Sequence, residues 1–264
     1  MDIAMELKKN IISLFNNRTA GSSALLIKLN RIIKEELGDI KYTSLIIKES
    51  RRHFKDFSII QNYLNEIENE LNNGEALSKI IDYYGDYDNK VNNKIFENGK
   101  DYFLNISKIL TLSNSLTIAN FLTRLYSVNS ELEVIISESR PMNEGRILAK
   151  KLLKSNIPVE FISDFSAVSY IPSVDAVITG ADKILSNGNI VNKTGSCTLA
   201  ILCRFYNKSF YVITTKNKNS SDSEYLPEEK DPAELWRYSD QKLKVRNYYF
   251  EEIERDLITR IITD

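Results

Sequence analysis

Histidine occurs once and cysteine twice among the 264 residues of this chain, and the scarcity removes whole classes of chemistry. His53 is the sole imidazole, set in the charged stretch Arg51-Arg52-His53-Phe54-Lys55. Without a second histidine neither the common metal sites nor a Ser-His-Asp triad is supported, and His53 reads as a solvated or capping residue. Cys197 and Cys203 fall six residues apart in a helical stretch, a spacing that suits neither a zinc site nor a disulfide framework. They read as reduced helix residues of a cytoplasmic protein. No apolar run approaches the roughly 20 residues of a membrane span. The opening MDIAMELKKNIISLF mixes charge into its apolar pattern and has no small-residue cleavage site, so no signal peptide is expected. Lys and Arg number 35 against 36 Asp and Glu, which leaves no basic excess for a nucleic-acid footprint. No Gly-x-Gly-x-x-Gly follows any strand-like run, which argues against a dinucleotide oxidoreductase. No metal or cofactor is expected, and neither a membrane nor a nucleic acid is expected as a direct partner.

The apolar content of 42% is enough for a sizeable core, and its periodicity changes near residue 100. Before that point apolar residues recur at helical spacing: Leu25, Leu26, Leu29, Ile32 and Ile33 make one stripe, and Ile59, Ile60, Tyr63, Leu64, Ile67 and Leu71 another. Breaks fall at Asn16-Asn17, Gly38-Asp39, Asn72-Asn73-Gly74 and Tyr84-Gly85-Asp86. Beyond it, short β-branched runs appear at 106–112, 132–137, 159–162, 176–179 and 210–214, with amphipathic segments such as 147–153 and 198–206 between them. Strands alternating with helices read as βαβ units and hence a parallel sheet. The fold class is therefore α/β, with an N-terminal helical domain over 1–100 followed by a parallel-sheet domain over 101–264. The polar stretch 216–231 reads as a mobile loop.

Ligands of open parallel sheets bind outside the carboxyl ends of the strands, so the residues after each run are the candidates for chemistry. They are Thr111-Leu112-Ser113-Asn114-Ser115; Glu138-Ser139-Arg140-Pro141 with Glu144-Gly145-Arg146; Asp164; and Gly180-Ala181-Asp182-Lys183. The last run leads through an Asn187-Gly188 turn to Asn192-Lys193-Thr194-Gly195-Ser196, which opens a helix. Arg140, Arg146 and Lys193 have the charge to grip a phosphate, with Gly195 letting backbone N–H groups approach at a helix N-terminus. Asp182 reads as a proton acceptor or hydroxyl ligand beside them.

The segments SESRPMNEGRILAKK and DAVITGADKILSNGNIVNKTGSCTLAILCRFYNKSFYVI resemble the family of initiation factor 2B α/β/δ subunits, ribose-1,5-bisphosphate isomerase and methylthioribose-1-phosphate isomerase. Asn17-Arg18-Thr19-Ala20-Gly21-Ser22-Ser23 resembles that family's glycine-containing loop, and FEEIERDLITRIITD its closing helix. The resemblance implies a Rossmann-like second domain, a homodimer formed through it, and a pocket for a phosphorylated sugar or nucleoside monophosphate. The ligand groups it implies are Arg18, Ala20, Gly21, Arg140, Arg146, Asn192, Lys193 and Gly195. Isomerase members use a cysteine and an aspartate as proton handlers. The aspartate matches Asp182, whereas the cysteine position is Ser113, and a serine hydroxyl is far the poorer acid or base. That departure favours a regulatory, ligand-holding relative of the initiation factors with protein partners of that system. The alternative is an aldose–ketose isomerase acting on a ribose-type phosphate through Asp182 and Ser113. The segment Arg246-Asn247-Tyr248-Tyr249-Phe250 is a further candidate for the dimer contact.

Overall fold

The computed structural model describes residues 7–73 and 77–264; Gly74 of the expected third break and the first six residues of the opening segment lie outside them. Six helices come first: α1 (Lys9–Phe15), α2 (Ser22–Glu35), α3 (Ile40–His53), α4 (Ser58–Asn73), α5 (Ser78–Gly85) and α6 (Tyr87–Gly99). Their boundaries follow local chemistry. Asp39 caps α3 by accepting from the Tyr42 amide at 3.0 Å. The stripe Leu25, Leu26, Leu29, Ile32 and Ile33 of α2 is buried along its whole length.

An alternating α/β order follows: β1 (Lys108–Thr111), α7 (Leu116–Val128), β2 (Glu133–Ser137), α8 (Gly145–Lys154), β3 (Val159–Ile162), α9 (Ala167–Tyr170) and β4 (Ala176–Thr179). Next come β5 (Lys183–Ile184), β6 (Ile190–Lys193), α10 (Ser196–Phe205), β7 (Ser209–Ile213), β8 (Phe250–Ile253) and β9 (Arg260–Ile262). Six strands form one sheet in the order β3-β2-β1-β4-β7-β9, and all its pairings are parallel. The order reverses between β1 and β4, which places a topological switch point at their carboxyl ends. β5, β6 and β8 make a separate antiparallel sheet around the Asn187-Gly188 turn, where Gly188 takes φ of 86°.

Both faces of the large sheet are covered, as parallel strands require. Ile109, Val134, Ile136, Ile178 and Ile213 face a core shared with α7, α8 and the N-terminal helices. Leu110, Ile135, Val177, Phe210 and Val212 face a second core with α9 and α10. The helical half therefore packs directly against the sheet half: Phe96 meets Phe121 at 5.7 Å between ring centroids, and Tyr87 OH meets Thr215 Oγ1 at 2.7 Å.

Two expectations need correction. The closing segment is two strands joined by a short 3-10 turn, with no helix. Its Ile and Thr residues favour extended backbone. β8 pairs with β6 and β9 with β7, giving β6 and β7 hydrogen-bond partners that a helix would not supply. The stretch 216–231, expected to be mobile, is tied down at several points. Ser220 N donates to Ile184 O at 2.8 Å, Ser186 N to Asp222 O at 2.8 Å, and Asn62 Nδ2 to Asn217 O at 2.8 Å.

Candidate functional site

The switch point is roofed by the loop between α1 and α2. Asn17 Oδ1 accepts from the Ala20 amide at 3.0 Å, and Asn114 Nδ2, just past β1, donates to Thr19 O at 2.9 Å. Gly21 lies so close to β1's end that a Cβ there would stand 2.9 Å from Asn114 O, so only glycine lets the loop settle. Under the loop the chain leaves β1 through Ser113 at φ 65° and leaves β2 through Ser139 at φ 63°. Both are strained for non-glycine residues, and they are held by one contact, Ser113 N donating to Ser139 Oγ at 2.6 Å. Asp164 fixes the same turn by accepting from the Ser139 and Arg140 amides, both at 2.8 Å.

These elements enclose a cavity of about 340 Å³, lined among others by Arg18, Gly21, Ser113, Asp182, Lys193 and Tyr249. The volume suits a small phosphorylated metabolite. Asp182 sits just past β4, with its backbone N–H on Val191 O at 2.8 Å and its Oδ1 accepting from Ser22 Oγ at 2.7 Å. Its carboxylate is thereby oriented, while the residue keeps partial exposure toward the cavity. Lys193 is buried, ion-paired to the buried Glu144 at 2.8 Å and set 4.7 Å from the centre of the Tyr249 ring. Burial pushes the Glu144 carboxyl above its usual range against the pull of Lys193, and Glu144 Oε2 has no hydrogen-bond partner among the described residues.

The rim carries further charge. Arg18 pairs with Glu234 at 2.9 Å, and Glu234 also accepts from the Tyr249 hydroxyl. Glu228 bridges Lys230 at 2.6 Å and Lys55 at 3.2 Å, and Lys230 reaches Asp56 at 3.4 Å. Burial alone would raise the Glu228 pKa, but its bonds to Lys230 and Lys55 bring it down to about 2. His53 stacks on Phe15 at 4.5 Å and its Nε2 bonds Phe15 O at 2.8 Å, so it caps the end of α1.

The expected ligand groups separate. Arg18, Ala20, Gly21, Ser113, Asp182 and Lys193 converge on the cavity. Asn192 lies beside it in a smaller hollow and gives its Nδ2 to Ser196 Oγ at 2.8 Å. Arg140 and Gly195 border another groove, about 670 Å³ and largely apolar, while Arg146 is exposed and borders neither. The α10 N-terminus, expected to receive a phosphate through Gly195, already holds an anion of the chain's own. Glu251 Oε1 accepts from Gly195 N at 2.8 Å and Cys197 N at 2.7 Å. Of the tyrosine-rich segment, Tyr249 lines the cavity and Asn247 is buried, while Arg246 and Tyr248 are exposed. Lys55, Lys230 and Lys218 escaped the sequence reading as site residues, and no local pattern marks them. Glu144 and Ser22 stood in a strand-end stretch and in the glycine loop, but without the partners that give each its role, Lys193 and Asp182.

The family model described as "Initiation factor 2 subunit family" matches residues 1–264. Methylthioribose-1-phosphate isomerase of Caenorhabditis elegans is 35% identical over 160 residues, covering 56% of this chain and 44% of that protein. Ribose 1,5-bisphosphate isomerase of Archaeoglobus fulgidus is 32% identical over 177 residues, covering 65% of this chain and 56% of that protein. The chain thus spans about half the length of the curated relatives it matches. The solved structure of Pyrococcus horikoshii translation initiation factor eIF-2B superimposes with a TM-score of 0.83 at 20% identity, covering 97% of this chain and 96% of the other. At that identity the likeness establishes the fold alone. Among the described residues no helix is long and apolar enough to cross a membrane.

Proposed function

This chain belongs to the initiation factor 2 subunit family, and from that membership we propose that it is an aldose–ketose isomerase acting on a ribose-type sugar phosphate in the cytoplasm. One observation carries the reading: Asp182, oriented by Ser22, shares a cavity with Lys193 and the Gly21 loop. The names of relatives such as the methylthioribose-1-phosphate and ribose 1,5-bisphosphate isomerases support it and weigh against the regulatory reading that Ser113 suggested. In this proposal Lys193, Arg18 and the amides of the Gly21 loop hold phosphate. Asp182 takes the proton from C2 of the sugar. The second reading, a regulatory protein that holds a sugar phosphate or nucleotide for initiation-factor partners, is favoured by one feature, Ser113 in place of a thiol. A homodimer through the sheet half is proposed as well. Phe161, Phe165, Val168, Ile201 and Phe205 leave an apolar surface exposed on the side of α9 and α10.

The test is turnover of ribose 1,5-bisphosphate and methylthioribose-1-phosphate, followed separately by NMR. A ketose phosphate product that disappears in Asp182→Asn supports the isomerase. Sugar phosphate that binds but is never converted supports the regulatory protein instead.

A further inference from the structure

The isomerase reading leaves one proton without a carrier. In an aldose 1-phosphate the anomeric carbon is closed in a ring, so the shift to a ketose needs a base at C2 and an acid at the ring oxygen. Asp182 serves as the base, and the Ser113 hydroxyl is too weak an acid to serve as the other. A different group stands beside both. Lys218 lies on the short 3-10 turn Lys216–Lys218 after β7 and is buried, 4% exposed. Its Nζ donates to Ala181 O, next to Asp182, at 2.5 Å. Among the described residues that is the one acceptor it has and no carboxylate forms an ion pair with it, the charge of Asp182 acting on it without direct contact. An ammonium has three hydrogens, so two remain for another oxygen.

The space for that oxygen exists. Lys218 borders a hollow of about 30 Å³, roughly one water molecule, whose other walls include Ser113, Asp182 and Asn192. Ser113 and Asp182 also line the larger cavity, so the hollow adjoins it. The turn is rigid from behind: Asn217 Nδ2 donates to Tyr84 OH at 2.8 Å, and Thr215 Oγ1 meets Tyr87 OH at 2.7 Å. A buried cation without an anionic partner is costly, and such groups concentrate where chemistry uses them. Burial pulls the Lys218 ammonium below the usual lysine pKa, opposed by the charge of Asp182, which makes it a readier proton donor.

Resting on the isomerase reading, we propose that Lys218 is the second proton-handling residue, the acid for the ring oxygen of the sugar. Asp182 takes the proton from C2 and the electron pair of that bond forms C1=C2. The C1–O ring bond breaks with its own pair, and the ring oxygen takes a proton from the Lys218 ammonium, leaving an enol and a neutral amine. The amine then removes the enol proton as protonated Asp182 delivers one to C1. The product is the ketose phosphate, and both residues return to their starting states.

The experiment measures turnover of ribose 1,5-bisphosphate and methylthioribose-1-phosphate by wild type, Lys218→Met, Lys218→Arg and Lys218→Ala, the last with and without methylamine. Lys218→Met and Lys218→Arg are expected to lose about 100-fold or more in kcat while still binding the sugar phosphate. Arginine keeps the charge but cannot release its proton near neutrality. Lys218→Ala is expected to recover activity with rising methylamine, which repair of a structural defect would not produce. Should Lys218→Met fail to fold, Lys218→Arg and the amine rescue decide the matter. Turnover by either charged-site variant within about threefold of wild type would overturn Lys218's role and leave the isomerase standing, as would an alanine variant that amines never rescue. A wild type that converts neither sugar would overturn the isomerase reading itself.

Discussion

The carboxyl edge of the sheet holds two hollows that the sequence treated as one. In the first, between β1, β4 and the Gly21 loop, Asp182 and Lys193 face a cavity of mixed polar and apolar lining. In the second, at the α10 N-terminus, the amides of Gly195 and Cys197 are spent on Glu251 and the walls are mostly apolar. Both began with the ingredients of an anion site. The difference is where a carboxylate lands. Glu251 closes the helix dipole from β8, whereas among the described residues the Ala20 amide of the Gly21 loop is held by Asn17 Oδ1, a neutral group. A helix N-terminus is therefore a site only when the fold leaves it unpaired.

The largest expected difference between the two hollows is in chemistry. Asp182→Asn should lower turnover about 10²- to 10⁴-fold in the NMR assay, while Glu251→Gln should change it less than about threefold. Similar losses in both variants would mean that the second hollow also touches substrate.

Next comes the buried pair. Lys193→Met removes one partner of Glu144 and should cost about 3 kcal/mol by urea unfolding. The double variant Lys193→Met/Glu144→Gln should recover most of that loss and still fail to bind sugar phosphate, measured by calorimetry.

Glu251→Ala strips a helix cap and should cost about 1 kcal/mol, read as a lower Tm, with sugar-phosphate affinity unchanged.

The two regions also predict opposite pH slopes of stability. Burial raises the Glu251 carboxyl above its usual 4.5, against the two amide bonds. The native state then holds its proton longer than the unfolded chain. This contribution is present below 4.5 and lost as pH rises through the raised native value. Glu228 is the reverse: lowered from 4.5 to about 2, it contributes above 4.5 and is lost as pH falls toward 2. Urea unfolding across acid pH should show Glu251→Gln flattening the first slope and Glu228→Gln the second, the latter weakly because the side chain is partly in water.

The smallest effect is expected at Arg146→Ala. Its side chain is exposed and borders neither hollow, so both stability (within about 0.5 kcal/mol) and affinity should stay at wild-type levels.

Much of this architecture is legible residue by residue. The runs at 159–162 and 176–179 are β3 and β4 to the residue, and the stripes of α2 and α4 are buried as their spacing requires, except for the half-buried Leu71. Local signals suffice there because periodicity reports which face meets the core. The closing segment was misjudged because its extended form depends on β6 and β7, strands far earlier in the chain. Half of the site was legible for a related reason. Gly21, Ser113, Asp182 and Lys193 follow strand ends or a glycine loop, places where any parallel sheet gathers its ligands. Lys218 and Lys230 sit in a polar stretch that reads as loop, and nothing nearby marks one as buried and the other as a rim cation.

The sequence by itself determined the helical first half, the alternation of strands and helices up to β7, the parallel sheet, the family, and the carboxylate at Asp182. These follow from patterns within a few turns or a few residues. Only the tertiary structure decided which charges remain available. Gly195 is silenced by a carboxylate 56 residues away, Arg18 is drawn to Glu234 216 residues away, and Lys218 is stripped of water beneath the loop that carries Asp182. The physical reason is that desolvation and ion pairing depend on what surrounds a group in space, and no short stretch of chain encodes that surrounding.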